Sequence, residues 1–124
     1  MPTTEQKLAA VHGYIAAFEA GSADAVIALF DEDATVEDPV GTPVKRGQDA
    51  IREFYATSMA TGAKLELLGP PRCAGDFVAF PFNVKLEWGG QTSIIEVIDT
   101  FRLNDEGKIT EMRAYWGPEN MKSV

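Results

Sequence analysis

Most of the residues that build common catalytic centres are scarce in this chain. There is one cysteine, Cys73, so no disulfide can form within the chain. There is one histidine, His12, and one His with one Cys cannot assemble the usual zinc sites. Cys73, beside Arg72 in a proline-rich context, reads as a small structural side chain. Lysine and arginine are scattered and total 11 against 19 acidic residues, giving a net charge of −8. Without a basic run or patch, nucleic-acid binding is excluded as a leading reading, and the acidity reads as a device for solubility. No apolar run approaches the roughly 20 residues of a membrane span. The segment from Met1 to Lys7 is polar and lacks a signal-peptide core. No Gly-rich phosphate loop or Ser–His–Asp candidate set is present. The expectation is one soluble, cytoplasmic domain over residues 1–124 that uses no metal and binds no membrane.

What is present is a core and a clear pattern. Hydrophobic residues make up 45% of the chain, enough for a chain of this size to bury a core. Leu8, Val11, Tyr14, Ile15 and Phe18 recur at helical spacing, which predicts a helix over about Thr4–Ala20. Thr3 and Gln6 have capping-box spacing, and Gly21 is placed to stop the helix. A short second helix follows Ser22, burying Val26, Ile27, Leu29 and Phe30. Ile51, Phe54, Tyr55 and Met59 mark a third.

The remainder alternates with period two. Ala34, Val36 and Asp38 share one strand face. Val78, Phe80, Phe82, Val84, Leu86 and Trp88 form the apolar side of a long strand. Gly89-Gly90 is a hairpin signal, and Ser93, Ile95, Val97, Asp99, Phe101 and Leu103 line one face of the next strand. After a turn at Asn104–Gly107, Met112, Ala114 and Trp116 share a face of the last. Pro81 inside the long strand predicts a sheet edge or a bulge. Strands about twice the usual length curve around what they cover, so the fold class is α+β, with helices closing an apolar cavity against a strongly bent sheet.

Three polar side chains fall on faces that point into that cavity. Asp99 has only apolar face-mates, and a buried carboxyl must be paired or protonated. Either backbone amides satisfy it, or burial raises its pKa and it stays a neutral hydrogen-bond donor. Asp38 precedes Pro39, which favours extended backbone. Taken alone, Asp38-Pro39-Val40-Gly41 is the ordinary signal of a local turn, but the alternation aims Asp38 at the same interior as Asp99. Tyr14 is either a core aromatic with its tip at the surface or a buried donor, and Tyr55 is placed to bond it inside the cavity. A carboxylate base beside neutral donors in an apolar cavity suits proton abstraction next to a carbonyl. Gly13 costs about 1 kcal/mol in a helix and has no evident purpose beyond close packing.

The stretch Asp33-Ala34-Thr35-Val36-Glu37-Asp38-Pro39-Val40-Gly41 closely resembles the catalytic-base segment of the bacterial ketosteroid isomerases. Ile51-Arg52-Glu53-Phe54-Tyr55, Val97-Ile98-Asp99-Thr100-Phe101-Arg102 and Met112-Arg113-Ala114 match as well, and the resemblance runs nearly end to end. It implies a cone-shaped fold of the nuclear-transport-factor-2 type, with three helices on a curved, mixed, mostly antiparallel six-stranded sheet. It implies a homodimer, no cofactor and a 3-oxo-Δ5-steroid substrate converted to the conjugated Δ4 isomer. Asp38 falls on the base that moves a proton from C4 to C6, Tyr14 and Asp99 on the donors to the C3 oxygen, and Tyr55 on the tyrosine supporting the first donor. Phe54, Phe82, Val84, Phe101, Met112 and Trp116 fall on lining positions, and the Trp116 indole is placed to bond Asp38. This family is itself the standard instance of a carboxylic acid held neutral by an apolar site. Phe30 stands where some relatives carry a further tyrosine. The same fold hosts dehydratases, epoxide hydrolases, polyketide cyclases and binding proteins, so a cyclase-like enzyme acting on a polycyclic ketone and a non-catalytic steroid carrier are the rival readings.

Overall fold

The first helix, α1 (Thr4–Ala20), forms where the spacing predicts it. Its capping box is complete: the Gln6 amide donates to Thr3 Oγ1 at 3.0 Å and the Thr3 amide donates to Gln6 Oε1 at 2.8 Å. Gly21 ends it in the left-handed region, at φ 64°. No basic residue lies in its last turn, and Lys64 of a neighbouring strand supplies the missing charge by donating to the Glu19 carbonyl at 2.8 Å. Gly13 now has a reason. A Cβ there would sit 3.2 Å from Leu29 Cδ2, so the glycine lets α1 close onto the end of α2 (Ala23–Ile27). The third helix, α3, spans Gln48–Ala60.

The computed structural model describes all 124 residues apart from the side chain of Trp88, which was expected on the inner face of its strand and lies outside the described part. The strands are β1 (Phe30–Glu37), β2 (Lys45–Arg46), β3 (Lys64–Leu67), β4 (Arg72–Ala74), β5 (Phe77–Trp88), β6 (Gln91–Leu103), β7 (Ile109–Tyr115) and β8 (Met121–Ser123). Six of them run as neighbours in the order β2-β1-β7-β6-β5-β3, while β4 pairs with β5 and β8 with β6. Only β1 and β7 are parallel. The sheet is therefore mixed and mostly antiparallel as expected, but it has eight strands and not six. The difference lies in two- and three-residue strands, too short to show a period.

Pro81 corrects a second expectation. Its strand β5 is not an edge, because β6 pairs with it along its whole length. On the other side β3 reaches only to Phe82 and β4 begins only at Ala79, leaving Pro81 in the gap between them. The Pro81 carbonyl accepts from the Leu68 amide at 3.0 Å on that side. The nitrogen of a strand residue points the same way as its carbonyl, so the missing N–H faces the gap and costs no ladder bond.

The hairpin between β5 and β6 turns on Gly89 and Gly90, both at positive φ (58° and 80°), which is the geometry a tight hairpin of this twist requires. The inner face of the sheet and the helices bury Val36, Phe80, Phe101, Ile51 and Tyr55 completely. Among the described residues no helix is long and apolar enough to cross a membrane.

Candidate active site

Asp99 lies mid-strand on β6, opposite Phe80 of β5 and Ala114 of β7. On β1, Val36 pairs with Met112 and Glu37 with Arg113, so one step further Asp38 comes level with Ala114. The two carboxyls therefore occupy one cross-strand row, Asp99–Ala114–Asp38, with the smallest chiral side chain between them. Two strand spacings put them about 10 Å apart along the sheet. Trp116 follows the end of β7 on the same inner face, and its Nε1–H donates to Asp38 Oδ1 at 2.9 Å. The Val40 amide donates to the Ala114 carbonyl at 2.9 Å, which ties the loop after Asp38 to β7. The Asp38–Pro39 peptide bond is cis.

The helices supply the roof. Tyr14 of α1 and Tyr55 of α3 are both buried, and their hydroxyls hydrogen-bond at 3.0 Å. Here the Tyr14 hydroxyl donates to the Tyr55 oxygen; a phenol O–H rotates, so an oxyanion in the cavity would draw the Tyr14 proton to itself while Tyr55 donates in turn. The rings meet edge to face at 5.7 Å, and Phe30 packs 5.8 Å from Tyr55 without adding a hydroxyl. Phe101 lies 5.1 Å from the Tyr14 ring.

Between roof and sheet lies an apolar cavity of about 230 Å³, somewhat below the roughly 300–1,000 Å³ of typical small-molecule sites. Its walls include Phe82, Val84, Leu86, Ile95 and Val97 of the hairpin, with Phe54, Ser58 and Thr61 from the α3 side. Tyr14, Tyr55, Asp38, Asp99 and Trp116 all face into it. Two expected lining residues do not. Phe101 and Met112 are fully buried but lie outside the cavity, because it ends at Asp99 and these two, paired across β6 and β7, fill the core beneath it.

The electrostatics follow burial. Asp99 is 1% exposed and neither carboxyl oxygen has a hydrogen-bond partner among the described residues. Burial, reinforced by the negative charge of Asp38, pushes its carboxyl well above the usual carboxylate range. The nearby Tyr14 hydroxyl opposes this but forms no hydrogen bond with either oxygen here. The shift favours the neutral acid, whose O–H could donate to a molecule in the cavity that Asp99 lines. Burial also lifts Tyr14 well above the phenol range, with Tyr55, Asp99 and Asp38 adding to it, so Tyr14 too is a neutral donor. Asp38 is only partly buried. Burial raises its carboxyl above the ordinary value, and the Trp116 bond and the charge of Lys45 offset only part of that rise. The site thus holds one carboxylate able to take a proton and two neutral donors able to stabilise an oxyanion.

The SnoaL-like domain model matches residues 11–112. The chain belongs to the SnoaL-like family. Over 113 residues, covering 91% of each chain, this SnoaL-like protein is 42% identical to Steroid Delta-isomerase of Nocardioides simplex. It is 32% identical over 113 residues to Epoxide hydrolase LasB of Streptomyces lasalocidi, spanning 39% of that longer protein. A solved structure of the epoxide hydrolase/cyclase-like enzyme SalBIII, with a role in pyran ring formation in polyether salinomycin, superposes on it with a TM-score of 0.93. That comparison covers 100% of both chains at 28% identity. The resemblance to the steroid isomerases drawn from sequence is thus matched by direct similarity.

Several walls of the SnoaL-like site were not picked out from sequence. Ile95 and Val97 stand on the face of Asp99 in the alternation, and Ser58 and Thr61 continue the helical spacing from Phe54. Both signals were there to use. Leu65 comes from β3, four residues with a weak pattern, and nothing local marks it.

Proposed function

We propose that this protein is a steroid Δ-isomerase. It converts a 3-oxo-Δ5-steroid to the conjugated 3-oxo-Δ4-steroid through a dienolate, without a cofactor. Asp38 takes the C4 proton and returns it at C6. Tyr14 and Asp99 donate hydrogen bonds to the C3 oxygen as it gains charge, and Tyr55 orients Tyr14. Phe54, Phe82, Val84 and Trp116 hold the flat apolar skeleton. The observation that carries this reading is the unpartnered, fully buried Asp99 carboxyl facing the same cavity as Tyr14 and the hydrogen-bonded base Asp38. A passive carrier would have no use for so costly a group. The 42% identity to Steroid Delta-isomerase supports the same substrate class. Mixing the protein with a Δ5-3-ketosteroid should produce the absorbance of a conjugated enone, and a protein that binds the steroid without that change is a carrier.

The epoxide hydrolase and hydrolase/cyclase-like relatives support one alternative. A neutral acid and a carboxylate in one cavity can also open an epoxide, the acid protonating the oxygen while the base activates the attacking hydroxyl. Turnover of a polycyclic epoxide with no enone formation would favour it. The chain is further proposed to act in the cytoplasm as a homodimer. Ile98 and Tyr115 support self-association: they are cross-strand partners on the outer sheet face and are 50% and 43% exposed. Sedimentation of the wild type and of Ile98→Asp tests it, the variant being the monomer.

A further inference from the structure

We propose that Lys45 is a positioning residue for the reaction, its ammonium held over the Phe54 ring so that its positive charge keeps Asp38 a carboxylate ready to accept a proton. This rests on Asp38 being the base, as proposed above.

The argument begins with register. Lys45 of β2 pairs with Val36 of β1, and cross-strand partners project to the same face of a sheet. Val36 is fully buried on the inner face, so the Lys45 stem also leaves on the inner side, at the sheet edge. Asp38 lies two residues beyond Val36 on that face, diagonal to Lys45. The ammonium ends 4.8 Å from the centre of the Phe54 ring, within cation–π range. Phe54 is itself a wall of the cavity that Asp38 faces. Among the described residues no carboxylate lies within ion-pair distance of Lys45. The ring therefore fixes the cation beside the site without neutralising it.

The other groups bearing on Asp38 do not supply this charge. Trp116, past β7, donates a neutral hydrogen bond. Tyr14 of α1, Tyr55 of α3 and Asp99 of β6 are neutral or acidic. Glu37, the preceding residue, is engaged by the Gly41 amide at 3.0 Å and by Arg113 at 3.5 Å. Glu53 of α3 lines the outer groove that Lys45 also lines, on the solvent side. Lys45 is the one cation that lowers the Asp38 carboxyl. The sign is definite: without Lys45, Asp38 holds its proton to higher pH, so at a given acidic pH less of it is in the base form.

The test compares Lys45→Met, which keeps an apolar stem against Phe54, with Lys45→Arg, which keeps the charge. On the acid limb of the steroid-isomerisation pH profile, kcat/KM of Lys45→Met should be about three- to tenfold below wild type, the effect of one nearby screened charge, and the limb should move to higher pH. Lys45→Arg should restore the wild-type limb. In parallel, the Asp38 side-chain carboxyl is titrated by ¹³C NMR in wild type and both variants without substrate. Its titration should move up in Lys45→Met only. An unmoved titration in Lys45→Met, or equal shifts in Met and Arg, overturns the proposal and leaves Lys45 as packing on Phe54. If wild type isomerises no steroid, the proposed function fails, and the NMR titration still decides the role of Lys45.

Discussion

Two carboxyl groups share one cavity and one cross-strand row, yet their surroundings differ sharply. Asp99 stands mid-strand between Phe80 and Ala114, with no hydrogen-bond partner among the described residues. Asp38 stands just past a strand end, partly exposed, with an indole donor on one oxygen and a lysine nearby. Desolvation acts on both, but only Asp38 has compensation. No cation is among the groups that shift Asp99. The strand end opens onto the end of β7 and onto β2, which bring Asp38 the Trp116 indole and the Lys45 charge. Topology thus gives the two acids different surroundings, although the residue type is the same, and the proposed roles of donor and base rest on that difference.

The strongest way to break this contrast is to remove proton transfer and keep shape. Asp38→Asn should lower isomerisation by about 10²–10⁴-fold with steroid binding retained, measured as kcat and as the dissociation constant of a product ketone. Near wild-type turnover would show that the strand-end acid is not the base.

Next in size is Asp99. Asp99→Leu fills similar space and donates nothing, so turnover should fall by about 10²–10³-fold, while Asp99→Asn, which still donates, should lose far less. Wild-type activity should decline at high pH as Asp99 ionises beside the enolate, and that share of the decline should be absent in Asp99→Asn. Stability gives an independent reading. A carboxyl raised by folding contributes stability that is fully present below its unfolded pKa, near 4, and is lost as pH rises towards the folded value. The melting temperature of wild type should therefore fall relative to Asp99→Asn as pH increases above about 4. An ionised, paired Asp99 would show the reverse trend, with Asn as damaging as Leu.

Tyr14→Phe removes a hydroxyl from the same donor pair and keeps the ring packed against Phe18 and Phe101. Turnover should drop by about 10²-fold with little change in binding of a neutral ketone. A variant that melts early but is fully active when folded would make Tyr14 a packing residue.

The sequence makes this contrast partly legible. Period-two alternation places Asp99 among apolar face-mates, and the same alternation carries Asp38 inward despite its turn-like Asp-Pro setting. The helical spacing of Tyr14 and Tyr55 puts both hydroxyls on buried faces, where they do bond. The helices and long strands are read for the same reason: each repeats its period several times. What is missed depends on distant pairing. β2 has two residues and no period of its own, so the position of Lys45 opposite Val36 appears only in the folded sheet. The gap that accommodates Pro81 exists because β3 and β4 stop short of each other, which nothing near Pro81 reports. Phe101 and Met112 look like cavity walls because they share the Asp99 face or its neighbour. They lie outside it because the cavity ends one cross-strand row earlier.

The smallest expected effect sharpens the comparison most, because it tests the compensation at Asp38 directly. The Trp116 indole donates to Asp38 Oδ1 at 2.9 Å. Such a bond favours the charged form of the acid and also fixes which oxygen faces the cavity. Trp116→Phe keeps an aromatic wall and removes the donor. Because the bond lowers the Asp38 carboxyl, its loss should move the acid limb of kcat/KM to higher pH, as in Lys45→Met. Unlike the lysine change, it also frees the carboxylate to rotate, so turnover on the pH-independent plateau should fall by up to about tenfold. Water can reach the partly exposed Asp38 and replace part of the lost bond, which keeps the effect below that of the oxyanion donors. The double variant Trp116→Phe/Lys45→Met tests whether the two influences are separate. The indole comes from the segment after β7 and the ammonium from β2, so their effects on the acid limb should add. A double variant no worse than Trp116→Phe would mean that the lysine acts only through the tryptophan-held orientation. In that case the strand-end acid owes its readiness to one partner, and the contrast with Asp99 reduces to the presence or absence of a single hydrogen bond.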